Sequence, residues 1–96
     1  MSQTVTIQCG ERLSIERVES LYSEMEMAIR EGHDIELAAS HVQFCDTAGL
    51  QLILGLNRAM MTSGHLLSWN TPADVIYETS ALLGLQDSLG LPQRAA

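Results

Sequence analysis

Lysine is missing from the sequence altogether. Among its 96 residues, the five basic side chains are all arginine, and twelve Asp and Glu give a net charge of -7 with histidine neutral. A chain this acidic is repelled by the phosphates of nucleic acids and by anionic lipid headgroups. We therefore expect neither nucleic acid nor a membrane surface to be its partner.

Aromatic residues and long apolar runs are also scarce. Aromatic residues make up 4% of the chain and hydrophobic residues 46%, which is typical of one globular domain. No run approaches the roughly twenty residues of a bilayer span. Met1 to Thr4 lack the basic and apolar regions of an export signal. We expect a single cytoplasmic domain over residues 1–96, with Cys9 and Cys45 as buried thiols rather than a disulfide.

No residue pattern indicates a catalytic or metal site. His33, His41 and His65 lack the three- or four-residue spacing that lets two side chains hold one metal ion. Ser40, His41 and Asp46 are the residue types of a hydrolase triad, but they share one short loop and no Gly-x-Ser-x-Gly turn is present. Glycine-rich phosphate loops are absent too. We therefore expect no enzyme activity, no cofactor and no metal.

Hydrophobic periodicity predicts strands that alternate with helices. The first helix is expected to turn an apolar face that includes Ile15, Tyr22 and Ile29 toward the core. Helices between successive strands imply crossover connections and a largely parallel sheet, which is a small α/β fold. The predicted elements are strands at 4–9, 34–39 and 65–69, a loop at 40–46, and helices at 14–31, at 47–62 and from a Thr71 cap and Pro72 to Gly84.

The second predicted helix has two different faces. At 100° per residue, one face is expected to lie on the sheet and the other to be polar and exposed. Between them lie Leu50, Leu54 and Met61, which either pack as shoulders of the core or, together with Thr47, form a docking patch. The sheet face comprises Gly49, Ile53, Leu56 and Met60, and the exposed face comprises Thr47, Gln51, Gly55, Arg58 and Thr62.

Asp46 and Thr47 stand where this helix begins. Asp and Thr oxygens commonly cap helices by accepting the first free backbone N–H groups. A hydroxyl in this position is also a suitable phosphate acceptor, because those N–H groups and the helix dipole stabilise the added dianion. Two negative charges added beside Asp46 would change how a partner binds there.

The segment Asp46-Thr47-Ala48-Gly49-Leu50, followed by a leucine-rich helix, resembles the Asp-Ser/Thr-x-Gly-Leu segment of STAS domains, the anti-sigma factor antagonist fold. Gly10-Glu11 resembles the family's turn before the first helix. Thr71-Pro72 and the segment 82–85 resemble its last helix and the residues that follow.

The resemblance implies a sheet of four or more strands with helices packed against it, and no catalysis. It also implies that Thr47 is a phosphoacceptor whose hydroxyl Asp46 helps to orient. This chain departs from the family in having one strand before the first helix, which leaves a sheet edge open to a partner or a second copy. Leu13 stands where the family's turn usually carries Asp. Ala38-Ala39-Ser40 stands where the family's second strand usually ends in Asp-Leu-Ser.

Three functions follow as hypotheses. The first is a STAS adaptor that binds a kinase-fold anti-sigma factor or another signalling protein through Leu50, Gln51, Leu54, Arg58 and Met61, switched by phosphorylation of Thr47. The second is an MlaB-type cytoplasmic subunit that docks on the ATPase of a phospholipid ABC transporter. The third is a small-ligand or nucleotide sensor with a pocket above the strand ends.

Overall fold

The computed structural model describes residues 3–94 and contains two groups of parallel strands. In chain order, the elements are β1 (Thr4–Gln8), β2 (Arg12–Leu13), a 3-10 turn (Ile15–Arg17), α1 (Val18–Arg30), β3 (Asp34–Ala38), β4 (Phe44–Cys45), α2 (Thr47–Ser63), β5 (Leu67–Asn70) and α3 (Asp74–Leu83).

The main sheet has the order β1-β3-β5, with every pair parallel. α1 connects β1 to β3 and α2 lies between β3 and β5 along the chain, as crossover connections require. The prediction of a parallel α/β fold is therefore confirmed. β1 forms one edge of this sheet.

β2 and β4 form a separate parallel pair, with Leu13 opposite Cys45. The prediction that residues 40–46 form only a loop is wrong at Phe44 and Cys45, which are β4. In the part of the chain that the structure describes, the strands divide into three and two rather than forming the expected single sheet of four or more.

One face of the main sheet carries the core. Side chains alternate along a strand, so Ile7, Ile35 and Leu37 point to the helices while Thr4, Thr6 and Gln8 are exposed. The helices add their buried apolar residues to the same cluster, which are Leu21, Met25 and Ala28 of α1, Leu50, Ile53, Leu54, Leu56 and Met60 of α2, and Ile76 of α3. Gly49, Tyr77 and Ser80 are also buried.

Two members of the predicted apolar face of the first helix lie outside the core. Ile15 is 67% exposed because it belongs to the 3-10 turn, whose period differs from that of the α-helix that follows. Tyr22 is 56% exposed and lies over a groove between α1 and α2.

The third helix begins later than the sequence predicts. Its N-cap is Ala73, which has extended backbone angles and donates its N–H to the Ala39 carbonyl at 3.0 Å. Thr71 instead adopts a left-handed φ of 49°, and its hydroxyl donates to Asn70 Oδ1. Gly84 ends the helix as predicted. Between residues 3 and 94, no helix combines the length and apolarity needed to cross a bilayer.

Candidate functional site

Asp46 and Thr47 follow strand β4 directly and form the start of α2, with Asp46 as the N-cap. Backbone hydrogen bonds fix this junction: the Phe44 N–H donates to the Glu11 carbonyl at 3.2 Å, and the Asp46 N–H donates to the Leu13 carbonyl at 3.2 Å. The beginning of α2 is therefore held against the turn that precedes α1.

Both carboxylate oxygens of Asp46 accept backbone hydrogen bonds. Oδ1 accepts the Gly49 N–H at 2.8 Å, which caps α2. Oδ2 accepts the Ile15 N–H at 3.1 Å, which ties the 3-10 turn to the same point. Among the described residues, no hydrogen bond joins this carboxylate to the Thr47 hydroxyl. The geometry therefore supports a capping and clamping role for Asp46.

Gly49 is required by a close approach of two backbones. A β-carbon at this position would overlap the Leu13 carbonyl group and would lie 3.0 Å from the Ser14 nitrogen. Glycine alone lets α2 approach β2 this closely. The helical period correctly placed Gly49 on the buried face, but the contact with β2 was not visible in the sequence.

Thr47 is exposed at the N-terminal end of α2. Gln51, Gly55, Arg58 and Thr62 are exposed along the same side of the helix, as the period predicts. We call these five residues the α2 stripe. Thr47 is therefore the first residue of a row of exposed positions along α2.

The flanking residues behave differently from one another. Met61 is 72% exposed, whereas Leu50 is fully buried and Leu54 is 8% exposed. Including Leu50 in a partner-binding surface is therefore wrong, because it belongs to the hydrophobic core of the isolated chain. Leu54 also packs in the core, so the accessible predicted contacts are Gln51, Arg58 and Met61.

Two exposed apolar side chains flank the start of α2, and the sequence did not identify them. The hydrogen bond from the Ile15 N–H to the Asp46 carboxylate holds Ile15 there, and Phe44 is 41% exposed at the first position of β4. The Arg12 guanidinium lies 4.4 Å from the centre of the Phe44 ring and its Nε is 3.3 Å from a Glu16 carboxylate oxygen. Exposed aliphatic, aromatic and charged groups thus occur together beside Thr47, a composition common in protein interfaces.

A groove of about 340 Å³ lies between α1 and α2. Its lining consists of helical residues and includes no strand residue. It therefore does not correspond to the small-ligand pocket expected above the strand ends. Within residues 3–94, no group of three or more His, Cys, Asp or Glu side chains is placed to hold a metal ion.

The chain is similar to known proteins in both sequence and fold. A family model described as "Mlab, STAS domain" matches residues 1–92. The chain belongs to the STAS domain family. A solved structure of the anti-sigma factor antagonist SpoIIAA in its unphosphorylated form matches with a TM-score of 0.76 and 21% sequence identity, over 99% of this chain and 83% of that one. No curated protein sequence matches the chain significantly. The STAS fold expected from the Asp46–Leu50 segment is confirmed.

The STAS segment divides its residues between two tasks. Asp46 and Gly49 join α2 to the preceding turn, one by hydrogen bonds and one by leaving space for backbone. Leu50 fills the core. Thr47 carries its side chain outward between them, so changing it leaves those contacts in place.

The two cysteines of this STAS domain are free and buried. Burial raises the pKa of the Cys45 thiol, whose Sγ donates to the Val75 carbonyl at 3.6 Å. Burial also raises the pKa of Cys9 from 9.0 to about 11, although the nearby positive charge of Arg17 opposes the shift. Both side chains are therefore neutral, packed thiols at neutral pH.

The raised pKa of Cys9 predicts a loss of stability in alkali. The folded thiol holds its proton more tightly than the unfolded one, so its contribution is complete below pH 9.0 and disappears as the pH rises toward about 11. Urea unfolding at pH values below, within and above this pH range should show that the free energy of unfolding falls as the pH rises. Cys9→Ala should show a shallower fall, and equal slopes in the two proteins would contradict the assignment.

Proposed function

We propose that this protein is a cytoplasmic, non-enzymatic adaptor that binds a partner protein through the α2 stripe, with Thr47 as its control point. The observation that carries the proposal is the exposure of Thr47 at the head of the stripe, beside neighbours that hold the fold together. A modification there reaches a partner without dismantling the domain.

The position suits phosphorylation by a kinase-fold partner of the anti-sigma factor type. A phosphate on Thr47 would lie at a helix N-terminus, where the dipole favours negative charge. It would also add roughly two negative charges beside the Asp46 carboxylate and the exposed Ile15 and Phe44 side chains. The phosphate therefore changes the charge of the docking surface while the helix tolerates it.

Substitution of Thr47 tests this control point. Thr47→Glu should weaken partner binding at least about tenfold, which corresponds to about 1.4 kcal/mol. Thr47→Ala should bind like the wild type. Because the side chain is exposed, both variants should unfold within about 0.5 kcal/mol of the wild type. Calorimetric titration and urea unfolding measure the two quantities.

The two variants can also give the opposite result. Equal partner affinity for Thr47→Glu, Thr47→Ala and wild type would place Thr47 outside the interface. A large loss of stability in both would assign it a structural role instead. Ser23→Glu, at an exposed position of α1, is a matched control for adding one charge.

A second candidate is favoured by the description of the family model, which names MlaB. In that case, the same stripe docks on the ATPase of a phospholipid ABC transporter, and the domain is its cytoplasmic subunit. Affinity capture with wild type, Thr47→Glu and Thr47→Ala, followed by mass spectrometry, separates the two candidates. A Thr47-dependent kinase-fold protein supports the first, and a Thr47-dependent ABC ATPase supports the second.

A further inference from the structure

The groove between α1 and α2 runs beside the α2 stripe. Residues of both helices line it, among them Tyr22, Glu26 and Ile29 of α1 and Leu52, Gly55 and Ala59 of α2. Tyr22 and Ala59 are exposed, while Ile29 and Leu52 are half-buried against the core. The groove is therefore mainly apolar and open to solvent, with one row of residues from each helix as its walls.

Nothing in residues 3–94 requires a glycine at position 55. It lies in the middle of α2, is exposed, and a β-carbon there would meet nothing within 4 Å among residues 3–94. Glycine in a helix interior is less stable than alanine. A partner that packs directly on the α2 backbone would benefit from a position without a side chain.

Charge indicates which kind of partner fits. Glu26 lines the α1 rim of the groove, and Glu19 lies two turns earlier on the same side of α1. The exposed ion pair between Glu26 and Arg30, at 2.9 Å, contributes little and can be exchanged. A second copy would bring another net charge of -7, whereas a basic segment would be attracted.

We propose that this groove binds a basic amphipathic helix of the partner protein. One large apolar side chain of that helix packs over Gly55, and its Arg or Lys side chains pair with Glu19 and Glu26. This is the helix-in-groove mode of recognition. The inference rests on the proposed adaptor function and adds the chemistry of the partner segment to it.

A displayed library of helical peptides tests the chemistry directly. Peptides that bind the wild-type protein are selected, and those that also bind the Gly55→Leu variant are removed. The leucine side chain of that variant is expected to fill the groove. Recovered peptides should carry net positive charge and large apolar residues spaced by three or four positions. Recovery of only acidic or neutral peptides, or of no peptide sensitive to Gly55, would overturn the proposal.

Variants then locate the bound peptide. For the best synthetic peptide, fluorescence anisotropy should show Gly55→Leu weakening binding at least about tenfold, with Glu26→Arg also weakening it and increased salt reducing wild-type affinity. Gly55→Ala should raise the midpoint of urea unfolding and yet weaken peptide binding, an opposition that a purely structural role cannot produce. Ser23→Leu, on α1 outside the lining, should bind like the wild type.

Two further outcomes decide between occupants. A wild-type dimer in sedimentation equilibrium that Gly55→Leu dissociates would identify a second copy in the groove and overturn the basic-helix proposal. If peptides fail to bind the groove while Thr47→Glu still weakens capture of the natural partner, this inference fails and the adaptor function stands.

Discussion

Gly49→Ala is expected to lower the free energy of unfolding by about 3 kcal/mol or more. The added β-carbon would overlap the Leu13 carbonyl, which is backbone and cannot rotate away as a flexible side chain can. Relief requires α2 to move from β2, which strains the hydrogen bond from the Asp46 N–H to the same carbonyl. Since small domains have about 5–15 kcal/mol of stability in total, a substantial unfolded fraction is expected on heating.

The same helix supplies the matched control. Gly55→Ala adds the same methyl group at an exposed position with nothing nearby, and should raise the free energy of unfolding by about 0.5–1 kcal/mol. Urea unfolding of the two variants should therefore shift in opposite directions. If Gly49→Ala were no less stable than wild type, the close approach of α2 to β2 would be incorrect.

The main sheet was predictable because its signals are local. Alternation in β1, apolar residues in β3 and Gly32 just after α1 are each signals from a few adjacent residues. β2 and β4 have two residues each, too few for any period to appear. Their pairing depends on contacts between residues about thirty positions apart, such as Leu13 with Cys45.

The site was predictable where it follows the helical period and not where it depends on tertiary contacts. The period correctly gave the exposed α2 stripe. It gave only an angular position for Leu50, whose burial depends on elements around the helix, including the 3-10 turn that contacts α2. Ile15 illustrates the same point, because its place near the start of α2 depends on a hydrogen bond from its N–H to the Asp46 carboxylate, 31 positions away.

Asp46→Ala is expected to reduce the free energy of unfolding by about 2 kcal/mol. It removes the N-cap of α2 and, in addition, the only carboxylate oxygen that the described structure places on the Ile15 N–H. Loss of a cap alone typically costs about 1 kcal/mol, so the second bond accounts for the remainder. Urea unfolding measures the total loss.

Asp46→Asn separates the two bonds. Asparagine caps helices about as well as aspartate, so its Oδ1 can still accept the Gly49 N–H. Its amide group then faces the Ile15 N–H, and two donors cannot bond to each other. The variant should therefore lose roughly half as much stability as Asp46→Ala, and hydrogen exchange at the Ile15 amide should accelerate while exchange at Gly49 stays slow. Equal acceleration at both amides would show that Asp46 acts as a single cap, and the clamp between the 3-10 turn and α2 would have to be abandoned.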